Sequence, residues 1–233
     1  MKIAVIIYGH MRSFKSCFPN LYKFLLKPLN PDVFIHTWSY NESSTPSWHK
    51  LHNKNIHKIN HEEIISRYNP TSFVIEQQPS IESNFNKVVD GVNFFGFNCM
   101  YHSLSKANSL KQTEEVKTGQ KYDIVIKIRP DILINKPIPF NFKNPIFDND
   151  VYIAGNKRNG PEDSIRSYSA IDILNISSST SMDIICNLSY YVYEFFNSSN
   201  AKQNGFANFI LEQKLQPFML EYNYNKDWEI IRQ

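Results

Sequence analysis

Glycine is scarce in this 233-residue chain, with seven in all. That excludes a long flexible linker and a glycine-rich phosphate loop. No Gly-x-Gly-x-x-Gly and no Gly-x-x-x-x-Gly-Lys-Ser/Thr occurs, so neither the dinucleotide fingerprint nor the P-loop applies. The Gly-x-Ser-x-Gly elbow of the α/β-hydrolases is missing too. Cysteine is equally sparse. Cys17, Cys99 and Cys186 are odd in number and form no Cys-x-x-Cys pair, which reads as buried thiols in a reducing compartment rather than a disulfide framework or zinc site. Long hydrophobic runs are lacking: Ile3 to Ile7 is too short for a signal core or a membrane span, and no other run approaches 18 residues. Nor is there a charge excess. With 25 basic and 22 acidic residues, a net charge of +3 gives no reason to expect nucleic acid as a partner. The expectation is a soluble, cytoplasmic protein without a transmembrane segment, with room for peripheral association at the inner face of a membrane. His49, His52, His57 and His61 are mixed with lysines and lack metal-site spacing.

What is present is apolar and aromatic, with 17 Phe and 13 Tyr. The most informative stretch is Tyr122 to Ile134. Asp123 to Ile128 is nearly all apolar and rich in β-branched residues, the pattern of a strand buried on both faces of a parallel sheet. Pro130 breaks the ladder because it has no N–H, and it biases Arg129 toward extended backbone. Asp131 then falls just past the strand's carboxyl end, where open α/β sheets bind ligands.

The rest of the chain supplies partners for that strand. Lys2 to Tyr8 reads as a first buried strand and Phe18 to Leu26 as a helix stopped before Pro28. Asp32 to His36 reads as a second strand, giving a βαβ unit with a right-handed crossover. Residues 39–60 read as a long loop. His61 to Tyr68 reads as a helix with Glu62 and Glu63 in its first turn, ended by Asn69-Pro70. Ser72 to Glu76 is a third strand, and 77–92 is irregular. Asn98 to Val116 has apolar residues at helical spacing, with Gly119 as its stop. Val151 to Ala154 and Ala170 to Ile176 read as strands, and Ser177 to Thr180 offers N-caps for a helix through Phe196. Phe206 to Leu215 reads as a helix and Phe218 to Tyr222 as a terminal strand. The expected fold class is α/β: a single domain over 1–233, with a mostly parallel central sheet flanked by helices.

If the strands are parallel, the loops Gly9 to Phe14, His36 to Ser39 and Arg129 to Asp131 open on one sheet edge. Gly9 allows close backbone approach. Arg12 suits bidentate contact with phosphate. Trp38 suits stacking on a base or covering a pocket, and Asp131 suits Mg²⁺ or Mn²⁺. Each has a bland counterpart: Arg12 as a solvated loop charge, Trp38 as core, His10 and His36 as satisfied structural histidines.

Three segments carry a family resemblance: Ile3 to Phe14 (with Tyr8-Gly9-His10-Met11-Arg12), Pro31 to Trp38 (with His36-Thr37-Trp38) and Tyr122 to Asp131. Asn69-Pro70 running into Phe73 to Glu76, and Ile171-Asp172 followed by Ser177 to Met182, fit the same pattern. In these the chain resembles glycosyltransferases of bacterial surface-polysaccharide (lipopolysaccharide and capsule) loci and of some large viruses. The resemblance implies a GT-A (Rossmann-like) fold, a UDP- or GDP-sugar donor, a glycan or lipid-linked glycan acceptor, and usually a divalent metal (Mn²⁺ or Mg²⁺). It places donor binding in 1–135 and the acceptor side in 136–233. It implies a donor pocket of Tyr8, Gly9, His10, Arg12, Thr37, Trp38, Asn98, Tyr101, His102 and Arg129, with Asp131 as metal ligand. Arg129-Pro130-Asp131 stands where that family carries Asp-x-Asp, so a cation replaces one carboxylate, and Arg129 is itself a candidate to neutralise phosphate. Asp172 is the leading candidate for a catalytic base or acceptor-binding carboxylate, with Glu162 and Asp163 as rivals in a lid-like loop. The residues leave two alternatives open: another nucleotide-dependent transferase on a Rossmann-like fold, or a non-catalytic nucleotide- or sugar-binding module.

Overall fold

Apolar strand segments satisfy their backbone groups by pairing, and the runs at the N-terminus and after residue 122 pair with each other. In the computed structural model, which describes residues 1–42, 56–79, 88–89, 92–157, 165–197 and 205–231, β1 (Ile3–Tyr8) lies between β2 (Asp32–Trp38) and β4 (Ile124–Ile128), parallel to both. β3 (Ser72–Glu76) extends the sheet beyond β2. On the other side come β7 (Asn175–Ser177), β6 (Asp150–Ile153) and β8 (Gln216–Met219), giving one seven-stranded sheet in the order β8-β6-β7-β4-β1-β2-β3. β7 is antiparallel to both its neighbours, and every other pairing is parallel. The chain is therefore a mixed α/β, Rossmann-like fold with a mostly parallel sheet, the class expected.

Helices cover both faces, and strand alternation decides which side chain meets which helix. Ala4, Ile6 and Tyr8 share a core with Tyr101, Leu104 and Ala107 of α3 (Phe95–Thr118), Met182 of α4 (Ser179–Cys186) and Phe206 of α6 (Gly205–Glu212). Val5 and Ile7 point the other way. They share a second core with Ile126, with Leu21 of α1 (Phe14–Leu21) and with Ile64 of α2 (His61–Tyr68). A shorter helix, α5 (Val192–Asn197), lies on the α3 side. Several ends follow from local chemistry. The Asn60 side chain accepts from the Glu62 and Glu63 amides at the start of α2, and Asn69 ends it in the left-handed region at φ 41°. Gly119 ends α3 at φ 67°.

Four expectations need correction. The first helix does not stop before Pro28. A π-helical turn at Tyr22–Leu26 changes the hydrogen-bond frame, and Pro28 enters at a first-turn position of the segment Lys27–Leu29, where its missing N–H costs least. Ala170 to Leu174 is a turn, not a strand; only Asn175–Ser177 pairs, and Ala170 has φ 57°. The helix after Ser178 is interrupted after Cys186 by a 3₁₀ segment, Asn187–Tyr190, and resumes as α5. The strand expected over Phe218 to Tyr222 is Gln216–Met219 and is not the last in the chain, and Tyr222 lies beyond it as a buried residue outside any strand. A last pairing had no sequence signal: β9 (Trp228–Ile230) runs antiparallel to β5 (Ile132–Ile134), and the Ile231 amide donates to the Asp131 carbonyl at 2.9 Å.

Candidate functional site

The parallel arrangement of β1, β2 and β4 brings the loops that follow them to one sheet edge. The reversal of β7 adds a fourth. Asn175 is in register with Lys127, so Asp172, three residues earlier, approaches the same edge as Arg129 and Asp131.

Four charged groups form the first cluster. Asp131 is fully buried. Arg129 donates from Nε to its Oδ1 at 2.9 Å and from Nη2 to its Oδ2 at 2.5 Å, and Arg12 Nη1 reaches Oδ2 at 3.1 Å. Arg12 turns its other two nitrogens to Glu42, with Nε–Oε2 at 2.6 Å and Nη2–Oε1 at 2.9 Å. Burial alone would raise the Asp131 pKa, but the two guanidinium groups outweigh it and hold the carboxyl below its ordinary value. Burial also works against the Arg129 charge, and Asp131 more than compensates. Both arginines keep an exposed fringe, 13% and 11% of the side chain, and Arg129 Nη1 has no partner among the described residues.

The second cluster surrounds Asp172. This residue is half-buried, and the chain around it is held from several sides. Tyr8, at the end of β1, is buried and donates its hydroxyl to the Asp172 carbonyl at 3.0 Å. Lys127 Nζ donates to the same carbonyl at 2.6 Å. The Tyr101 hydroxyl faces the Asp172 carboxylate; burial raises the pKa of this phenol well above its ordinary value, and Asp172 adds to the rise. Asp172 also contributes to the field at Arg129, which links the two clusters.

Histidines and one tryptophan make up the third group. His36 is fully buried, with Nδ1 2.8 Å from Ser103 Oγ and Nε2 3.0 Å from Glu76 Oε1; burial lowers its pKa to about 4. His102 Nε2 meets the same Glu76 oxygen at 3.2 Å, and its ring stacks on Trp38 at 5.8 Å. Trp38 is 1% exposed, so its face is covered by protein. Thr37 beside it is buried, and its hydroxyl has no partner among the described residues. Gly9 has φ 97°, a conformation that favours glycine, and donates its N–H to Ser103 Oγ at 2.7 Å. His10 Nδ1 bonds to the Tyr40 carbonyl at 3.1 Å, which fixes its proton on Nδ1. Its buried Nε2 has no partner among the described residues, and burial lowers the ring's pKa to about 4. Asn98 lies farther along α3 and donates to the Tyr193 hydroxyl at 2.7 Å.

The fold thus gathers Arg12, Arg129 and Asp131, and separately Tyr8, Tyr101 and Asp172. Trp38 and His102 pair with each other. Glu162 and Asp163 lie outside the described residues. Sequence reasoning missed Glu42, Glu76, Ser103 and Lys127. Lys127 had a visible signal, a single charge inside Ile124-Val125-Ile126-Lys127-Ile128. Glu42 had none, because its partner is 30 residues away.

The residues do not fit a divalent metal held by Asp131. Both of its oxygens already accept from guanidinium groups, and a metal ion there would sit against two fixed positive charges. Among the described residues no group of three His, Cys, Asp or Glu is arranged to hold a metal. No helix among them is long and apolar enough to cross a membrane.

No protein-family model matches the chain, and no curated protein matches it in sequence. Among solved structures, it is similar to the crystal structure of a glycosyltransferase involved in the glycosylation of the major capsid of PBCV-1. That match covers 99% of this chain and 93% of the other, with 8% sequence identity and a TM-score of 0.40.

Proposed function

We propose that the chain is a glycosyltransferase that moves a sugar from a nucleotide-diphosphate donor to a glycan acceptor, on the cytoplasmic side, in the synthesis of cell-surface polysaccharide. The observation that carries this reading is the meeting, at one sheet edge, of two partly exposed guanidinium groups and a half-buried carboxylate. The motif resemblance of Ile3 to Phe14, Pro31 to Trp38 and Tyr122 to Asp131 supports it independently.

In the reaction, the bond between the sugar's anomeric carbon and the diphosphate oxygen breaks as the acceptor oxygen bonds to that carbon. Negative charge builds on the departing diphosphate, and fixed donors stabilise it most because they need no reorganisation. Arg129 Nη1 and the exposed fringe of Arg12 supply that charge, and Asp131 and Glu42 keep both guanidinium groups in place. Asp172 accepts the proton of the acceptor hydroxyl. No step depends on a bound metal ion.

The test is calorimetric titration with UDP and GDP, first with Mn²⁺ and then with EDTA, followed by release of nucleoside diphosphate from UDP- and GDP-sugars. Binding that survives EDTA, together with turnover of one donor, is the expected result. Binding of neither nucleotide would overturn the proposal. Binding without turnover would favour a nucleotide-binding module.

A further inference from the structure

A lysine in the middle of a central strand is costly, because an ammonium loses its hydration there and needs compensation. Lys127 is such a residue. It is fully buried in β4, whose other members are Ile124, Val125, Ile126 and Ile128. Its one hydrogen-bond partner among the described residues is the Asp172 carbonyl, at 2.6 Å. Its Nζ lies 5.5 Å from the centroid of the Tyr8 ring and 5.0 Å from that of Phe206, so two aromatic faces complete the seat of the cation.

The segment it touches is built by side chains. Each of the four successive carbonyls from Ile171 to Leu174 accepts from at least one side chain. The Asn175 amide donates to Ile171 at 2.8 Å and to Leu174 at 2.9 Å. Lys127 and Tyr8 both donate to Asp172. Tyr8 also reaches Ile173 at 3.4 Å. The turn begins at Ala170 in the left-handed region, φ 57°. Gly155 packs beneath it so closely that a Cβ there would come within 2.9 Å of Ile171 Cγ2. Side chains from three strands therefore fix a short turn whose one ionisable side chain is the half-buried Asp172.

We infer that Lys127 is a positioning residue: together with Tyr8 it holds the Asp172 turn so that the carboxylate stands at the sheet edge beside Arg129. This rests on the proposed role of Asp172 in glycosyl transfer. A hydrophobic residue at 127 would fill the strand at lower cost, and Tyr8 alone would still satisfy the Asp172 carbonyl. What the ammonium adds is a second, charge-assisted anchor on one backbone oxygen, and a misplacement of about 1 Å in a reacting group is enough to cost ~100-fold in rate.

The experiment compares Lys127→Met, Tyr8→Phe, Asp172→Asn and the double variant Lys127→Met/Asp172→Asn, using the UDP- or GDP-sugar that the wild type turns over. Lys127→Met is expected to lower kcat about 100-fold, with donor KM changed less than threefold. Tyr8→Phe is expected to lower kcat less, because the lysine anchor remains. The double variant is expected to be no slower than Asp172→Asn alone, because both changes act through one carboxylate. A kcat for Lys127→Met within threefold of wild type would overturn the inference. So would losses that multiply in the double variant, which would mean that Lys127 acts apart from Asp172. If Asp172→Asn alone is fully active, the base assignment fails and the positioning role fails with it. If no donor is turned over, the glycosyl-transfer reading fails by itself. Hydrogen exchange then decides the anchoring: amides 171–174 must exchange faster in Lys127→Met, and unchanged exchange there would overturn it.

Discussion

Replacing Lys127 by methionine should make the protein more stable while it damages activity. The magnitude follows from the lysine's surroundings. Burial pulls its pKa from the ordinary 10.5 down to about 8, against the opposing pull of Asp172 and Cys186, while Arg129 adds to the lowering. At 1.36 kcal/mol per pH unit, this amounts to about 3 kcal/mol held against the charged form in the folded state. Methionine fills a similar volume, carries no charge, and leaves the Tyr8 hydroxyl on the Asp172 carbonyl. The expected gain at neutral pH is about 3 kcal/mol, or about 6–12 °C in Tm for a chain of this size. The gain should also depend on pH, and its sign can be worked out. Between about pH 8 and pH 10.5 the unfolded chain keeps the lysine proton that the folded chain has lost. Wild-type stability therefore rises across that window, and the advantage of the variant shrinks. Urea denaturation of both proteins at pH 7 and near pH 10 measures this directly. A variant less stable than wild type at pH 7, or a difference independent of pH, would refute the claim that the lysine is a strained group retained for function. Stability exchanged for activity is the expected signature of such a site.

Other consequences can be checked alongside. Asp131→Asn leaves two mostly covered guanidinium groups facing a neutral amide, and a loss of about 3 kcal/mol in urea denaturation is expected, the low end for a broken buried pair because both guanidinium groups keep an exposed fringe. Its nucleotide affinity should respond to Mn²⁺ as wild type does; a metal response lost only in the variant would restore Asp131 as a ligand. Arg12→Ala should weaken UDP or GDP binding roughly 10–100-fold by calorimetry while changing nucleoside binding little; equal losses would confine Arg12 to the fold. Gly155→Ala drives a methyl toward Ile171 Cγ2 and the Ser169 carbonyl, 2.9 and 3.1 Å away. It should cost about 1–3 kcal/mol of stability and lower kcat more than it raises donor KM. If Asp172 is the base, proton NMR of the first-formed product should show an inverted anomeric centre.

The sheet was legible because its strands announce themselves locally. Ile3 to Tyr8, Asp32 to His36 and Ile124 to Ile128 are apolar enough to require burial on both faces, and their parallel pairing puts Gly9, Arg12, Trp38, Arg129 and Asp131 at one edge. Helix ends at Asn69 and Gly119 were legible for the same reason, since a cap is a property of a few neighbouring residues. What the sequence could not show is the use each side chain is put to. Arg12 and Asp131 have the right chemistry for phosphate and metal, yet they are 119 residues apart and meet each other. Trp38 reads as a stacking platform until His102, from a helix 64 residues on, covers it. Asp172 was singled out by position, but its setting depends on β7 running antiparallel to β4, and three-residue strands carry too little pattern to give their direction. Burial and backbone preference are local and sum along the chain. The partner of a charged group, the exposure of an aromatic face and the anchoring of a turn depend on contacts between segments far apart in sequence, and only the folded chain brings those segments together.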